Sequence, residues 1–233
     1  MSVIVDSPNP HLALPPERFG APLDAARAVV ILIHGRGQSP GDMAQQIVQR
    51  LDLPDILPDV AYVAPAAADQ TWYPAGFMAP TEQNQPRLDF ALARLAALSD
   101  ALGAGGTPPS AQAIVGFSQG ACLGCEFVYR NRGRQRFAAL CALTGGLIGP
   151  PGTEWETVGD AFRDMPVLLG GASADPFVPA ARMLETAAVF RGLGARVDAT
   201  IYPSAVHEVT DDQIARLRAI LTEILAGSPR GNP

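Results

Sequence analysis

The sequence predicts an α/β protein with a mostly parallel central sheet covered by helices on both faces. Two observations carry that expectation. Short β-rich runs alternate with helix-length segments from residue 28 to the C-terminus, the order that a parallel sheet requires. The first run, 28–33 (AVVILI), is apolar without interruption, as in a strand buried on both faces. The 233 residues, 48% hydrophobic and 17% charged, are enough for one good core and suit a globule. A single domain, 1–233, is expected, with a loose N-terminal segment to about residue 20 and a frayed tail at 228–233.

Taken in order, strand 28–33 is followed by a helix over 41–51, where Met43, Ile47 and Leu51 recur every fourth residue. Strand 60–63 comes next, then an amphipathic helix over 86–102, opened by Pro86 and closed by Gly103. Strand 113–117 runs into helix 119–129. Strands at 137–143, 167–169 and 197–202 and helices at 179–193 and 211–225 complete the series. Residues 103–109 (GAGGTPP) read as a loop, and no internal repeat is visible. Two connections, 65–85 and 144–165, run about 20 residues without periodicity, a length usually tied to function. Both carry aromatics (Trp72, Tyr73, Phe77; Trp155, Phe162), which favours site walls over disorder.

Composition removes several classes of chemistry. A net charge of −6 argues against a cationic footprint for nucleic acid. All 17 basic residues are Arg, so Schiff-base, Ser–Lys and Walker-lysine mechanisms have no lysine to use. Histidine stands only at positions 11, 34 and 207. Residues 1–20 hold four prolines and no basic run ahead of an apolar one, unlike a secretory signal. No apolar run reaches the roughly 18–20 residues of a membrane span. Three cysteines, an odd number, suit a reducing compartment. The protein is therefore expected in the cytoplasm, without membrane insertion, as a monomer or homodimer.

Gly116-Phe117-Ser118-Gln119-Gly120 matches G-x-S-x-G. The pentapeptide alone is common in glycine-rich chains, but here it joins a buried strand to a helix, the strand–turn–helix of a nucleophile elbow. A serine hydroxyl needs an adjacent base. On such a fold the partners follow in the order Ser, acid, His. His207 is the one histidine after Ser118, which leaves it as the base. Asp175, in the loop after strand 167–169, is the best-placed acid; Asp160 and Asp164 precede that strand, Asp198 lies within the next, and Glu208 adjoins the histidine. The oxyanion donors are expected to be the backbone N–H groups of Gln119 and of Arg36, in the loop after strand 28–33, with His34 holding that loop. The Arg36 side chain reads as simply solvated, and its backbone N–H is the part expected to act. Cys122-Leu123-Gly124-Cys125 spells C-x-x-C, but it lies inside the helix and offers only Cys141 as a further thiol. Apolar packing is the reading preferred over redox or zinc chemistry.

His34-Gly35-Arg36-Gly37, the G-F-S-Q-G pentapeptide, residues 171–179 (GASADPFVP) and His207-Glu208 together resemble the phospholipase/carboxylesterase family of α/β-hydrolases, over about residues 28–226. The resemblance implies an α/β-hydrolase fold without a cap domain, a Ser118–Asp175–His207 triad, backbone donors at Arg36 and Gln119, and no metal or organic cofactor. It implies a serine carboxylester hydrolase acting on small-molecule esters. A thioesterase or lysophospholipase with the same triad, and a binding module with a disused triad, are the rivals. Thr71-Trp72-Tyr73-Pro74 and Asn84-Gln85-Pro86 resemble a bacterial esterase subgroup. Ala121 and Val206 stand where the family usually has glycine, and Arg36 where the thioesterases are often apolar. Trp72, Tyr73, Phe77 and Met78, with Phe177 and Val178 after the acid loop, are expected to wall a pocket for short to medium acyl groups.

Overall fold

The computed structural model describes residues 8–51 and 58–227. Seven strands form one sheet: β1 (Glu17–Gly20), β2 (Ala28–Ile33), β3 (Val60–Ala64), β4 (Gln112–Phe117), β5 (Ala139–Leu143), β6 (Pro166–Ala172) and β7 (Arg196–Tyr202). Their order across the sheet is β1-β3-β2-β4-β5-β6-β7. All pairings are parallel except β1 with β3. The mostly parallel sheet is as the sequence predicts, and the fold is that of the α/β-hydrolases, as the resemblance implies.

The uninterrupted apolar run of β2 has a direct structural reason. Each residue of β2, β3, β4 and β5 is buried, and successive side chains point to opposite faces. Val29, Ile31 and Ile33 join one core, with Leu88, Leu95, Leu123, Phe127, Phe137 and Phe190. Val30 and Leu32 join the other, with Met43, Ile47, Leu217 and Leu221. Two helical layers follow. Helices α2 (Arg87–Ala104), α3 (Gln119–Arg130) and α4 (Ala180–Gly192) cover the first face; α1 (Pro40–Met43), its continuation, and α5 (Asp211–Gly227) cover the second.

Local chemistry sets the helix starts. Ser39 and Asp42 form a capping box at α1, with Pro40 in the first turn. Thr210 and Gln213 do the same at α5, each side chain accepting the other's backbone N–H. The helix expected over 41–51 is present but mixed: α1 gives way to a π turn over Ala44–Val48 and a 3₁₀ turn over Gln49–Leu51. Met43, Ile47 and Leu51 are all fully buried, so the apolar stripe survives the change of pitch.

The N-terminal segment departs from expectation over residues 8–20. Pro10–Ala13 form a 3₁₀ turn capped by Asn9, and Glu17–Gly20 pair with β3 as an antiparallel edge strand. Residues 1–7 and the tail at 228–233 lie outside the described residues. Among the described residues no helix is long and apolar enough to cross a membrane.

The strand order reverses at β2, since the chain passes from β2 to β3 on one side and then to β4 on the other. In open parallel sheets that switch opens a crevice beyond the carboxyl ends of the two strands. Ile33 and Gly116 are direct neighbours across β2 and β4, so the loops that follow them meet there.

Candidate active site

Ser118 sits between β4 and α3 with φ 54° and ψ −120°, a backbone conformation that L-residues rarely adopt. The turn is sharp enough to exclude side chains on both sides. A Cβ on Gly116 would lie 2.4 Å from the Gly120 carbonyl oxygen, and one on Gly120 only 2.0 Å from that of Ile33. The glycines of the motif therefore let β4, α3 and the end of β2 touch. Ser118 N–H donates to Leu143 O (3.1 Å), tying the elbow to the end of β5.

His207 lies in the loop after β7, and Asp175 in the loop after β6. The two loops are joined by backbone bonds from Ser173 N–H to Tyr202 O (2.8 Å) and from Ala174 N–H to Ser204 O (3.0 Å). His207 Nε2 stands 2.8 Å from Ser118 Oγ, and its Nδ1 stands 2.8 Å from Asp175 Oδ2. The second carboxylate oxygen of Asp175 accepts from the backbone N–H groups of Phe177 (2.8 Å) and Val178 (2.9 Å). The Asp175 side chain is fully buried and that of His207 is 16% exposed. Phe117 packs at 5.1 Å and Phe177 edge-on at 5.0 Å from the imidazole. Such a chain can do one thing well: the carboxylate fixes the ring as an Nδ1–H tautomer, and Nε2 can then take the serine proton.

The donors predicted for an oxyanion flank Ser118. Gln119 opens α3, so its N–H has no acceptor within its own helix. Among the described residues neither this N–H nor that of Arg36 donates to another group. The loop carrying Arg36 is held by Gly35 N–H donating to Gln38 Oε1 (2.9 Å) and by Gln38 N–H donating to Gly35 O (3.2 Å). His34 braces it from beneath: Nε2 accepts from Ala67 N–H (3.0 Å), and Nδ1 lies 2.7 Å from Gly35 O. These contacts require the neutral Nδ1–H tautomer. Burial lowers the pKa of the ring accordingly.

A cleft of about 320 Å³ opens over Ser118, lined by Tyr73, Gly76, Phe77, Phe177 and Val178 together with Arg36, Gln119, Cys122 and His207. Met78 packs partly buried against the core, and four of the six predicted wall residues are at the cleft. Trp72 is not. It is fully buried, its Nε1–H donates to His34 O (2.8 Å), and its ring lies between His34 (4.9 Å) and His11 (5.4 Å). A hydrogen-bonded indole that braces the His34 loop belongs to the core. Phe177, by contrast, is 68% exposed at the rim.

Cys122 is a wall residue that sequence reading overlooked. It lies one turn into α3, four residues after the N-cap Ser118, a spacing that could have flagged it. Burial pushes its thiol up to about 12, so it is protonated at neutral pH. Burial acts likewise on Cys125 and on Cys141, the latter also to about 12. Among the described residues all three thiols are free and buried, and no cluster of His, Cys, Asp and Glu is arranged to hold a metal ion.

The sequence matches the phospholipase/carboxylesterase family over residues 17–225, and the chain belongs to that family. It is similar to a phospholipase/carboxylesterase from Dyadobacter fermentans at 33% identity, with a TM-score of 0.79 over 90% of this chain and 96% of that one. The esterase PE8 is 24% identical, with a TM-score of 0.69 over 91% and 99% of the two chains. A carboxylesterase from Mesorhizobium loti is 22% identical, with a TM-score of 0.67 over 90% and 95%. At those lower identities the likeness concerns the fold. Among curated proteins, none matches this chain. Family and neighbours alike make the protein an enzyme of the hydrolase type.

Proposed function

We propose that the protein is a serine carboxylesterase that cleaves short- to medium-chain esters of small molecules through an acyl-enzyme on Ser118. The observation that carries this reading is the unbroken chain Ser118 Oγ–His207–Asp175, at 2.8 Å in each step, on a serine held in a strained elbow. His207 takes the Ser118 proton as Oγ bonds to the ester carbonyl carbon. The negative charge that develops on the carbonyl oxygen meets the N–H groups of Arg36 and Gln119. Collapse breaks the bond to the alkoxy oxygen, and the protonated His207 gives its proton to the departing alcohol. Water repeats the sequence on the acyl-enzyme, which releases the carboxylic acid and returns the proton to Ser118.

The direct test is a fluorophosphonate probe combined with hydrolysis of p-nitrophenyl butyrate. The probe should attach to Ser118 and abolish turnover, and the Ser118→Ala variant should neither be labelled nor hydrolyse the ester. A protein that turns over the ester but is labelled elsewhere, or a wild-type protein inert to both, would remove the proposal.

A further inference from the structure

The two residues proposed to donate their backbone N–H groups to the oxyanion also use their side chains, and both reach the same strip of chain. Arg36 donates from Nη1 to Pro74 O (2.8 Å) and from Nη2 to Tyr73 O (3.0 Å) and Ala75 O (2.7 Å). Gln119 donates from Nε2 to Tyr73 O (2.8 Å), while its Oε1 accepts from Trp72 N–H (3.0 Å). The Tyr73 carbonyl is therefore a shared acceptor, joining the loop after β2 to the start of α3 through segment 72–75.

We infer that Arg36 and Gln119 are positioning residues: their side chains, meeting on the Tyr73 carbonyl, fix the spacing of the two backbone donors that receive the oxyanion. The inference rests on the serine-esterase reading and adds the side chains to it. The physical need is specific. The donors belong to separate stretches of chain, and preorganised donors lose their advantage when either can drift. The close approach of Gly120 to Ile33 O and His34 O anchors the base of the β2 loop. Arg36 lies beyond that anchor, exposed, just before Gly37 at φ +73°, whose own N–H donates to Gln70 O (2.8 Å). The guanidinium ties this tip to segment 73–75. Its planar fork reaches three carbonyls at once, which a lysine ammonium at the end of a flexible stem does not reproduce. The same strut fixes Tyr73 and leads into Gly76 and Phe77, so the oxyanion position and the pocket wall share one support.

The experiment begins with wild-type protein and p-nitrophenyl butyrate; failure to hydrolyse it or to react with fluorophosphonate would fault the esterase reading itself. Given that activity, Arg36→Met should lower kcat by about ten-fold or more, a fraction of the effect of losing an oxyanion donor outright. KM should stay within about two-fold, because ground-state contacts are kept. Affinity for a trifluoromethyl ketone, which forms a tetrahedral adduct on Ser118, should fall in step with kcat. Arg36→Lys should recover part of the loss. The double variant with Gln119→Met should lose less than the product of the single losses, since both bonds end on one carbonyl. A wild-type kcat in Arg36→Met, or a loss confined to KM, overturns the inference. Should Arg36→Met fail to fold, Arg36→Lys carries the test: a kcat deficit at unchanged KM supports the strut, and wild-type kcat refutes it.

Discussion

A methyl group added at Gly120 would sit 2.0 Å from the Ile33 carbonyl oxygen and 2.5 Å from that of His34, both backbone atoms that cannot swing aside. Gly120→Ala should therefore force α3 away from β2, with a stability loss of several kcal/mol, roughly that of core overpacking, and loss of turnover. A urea melt beside an activity assay would check it. Ser118→Ala and His207→Ala should each lower kcat by about 10⁴-fold or more, because the triad acts as a unit; near-normal turnover in either would be fatal to the mechanism. The thiol at the cleft makes a contrasting case. Cys122 is held protonated by burial, so iodoacetamide at neutral pH should leave the activity of the folded enzyme unchanged. At this scale the sequence was most legible where chemistry restricts residue choice. Three histidines and a G-x-S-x-G set between a buried strand and a helix leave little freedom, and the structure brings Ser118, Asp175 and His207 into contact. It was least legible for Trp72, because an aromatic in a long loop looks the same whether it faces a pocket or, as here, braces a histidine beneath it.

Among the elements, the N-terminal turn Pro10–Ala13 shows what periodicity does not reveal. A four-residue turn and a four-residue edge strand (ERFG) carry too few apolar positions to define a period, and β1 is mostly exposed. The long buried strands, by contrast, could be read directly, since burial on both faces leaves only apolar choices. The turn nonetheless holds a fully buried histidine. His11 Nδ1 accepts from Ala68 N–H (3.0 Å), beside the Ala67 N–H that His34 receives. Burial first, then Arg87 and Arg94, lower its pKa from 6.5 to about 4, against weaker opposition from the Trp72 backbone and Asp69. The folded protein thus keeps His11 neutral while the unfolded chain takes up a proton near 6.5. The contribution to stability is complete above about pH 6.5 and is lost progressively as pH falls from there towards 4. Burial of His34 adds a term of the same sign. Urea midpoints measured between pH 7 and 4 should fall with pH, and His11→Gln should flatten part of that slope. A slope identical to wild type would mean that His11 is already charged in the fold.

The whole molecule places the carboxyl ends of β2, β4, β6 and β7 around one cleft, and in the proposed reaction the acyl group must fit what lies there. Its wall combines Tyr73, Phe77, Phe177 and Val178 with the smaller Gly76 and Cys122. Within the cleft each bound CH₂ gains roughly 0.8 kcal/mol, and the gain stops where the wall ends. A volume of about 320 Å³ is at the small end of ligand sites, which supports short to medium chains. We predict that kcat/KM for p-nitrophenyl esters peaks between about four and eight carbons, where that gain meets the limit. Trp72 does not set the limit, because it is core; Trp72→Ala should cost about 3–5 kcal/mol of stability. Phe77 is better placed, since it lines the cleft while being 9% exposed. Phe77→Ala should extend the cleft and move the optimum towards longer acyl groups, because the added length gives further CH₂ groups a surface to contact. Comparing kcat/KM from acetate to palmitate for the two proteins reads this directly. A wild-type optimum at palmitate would show that the chain leaves the cleft along another path and would favour deacylation of lipids or proteins. An optimum unmoved in Phe77→Ala would shift the stop to Tyr73 or Val178.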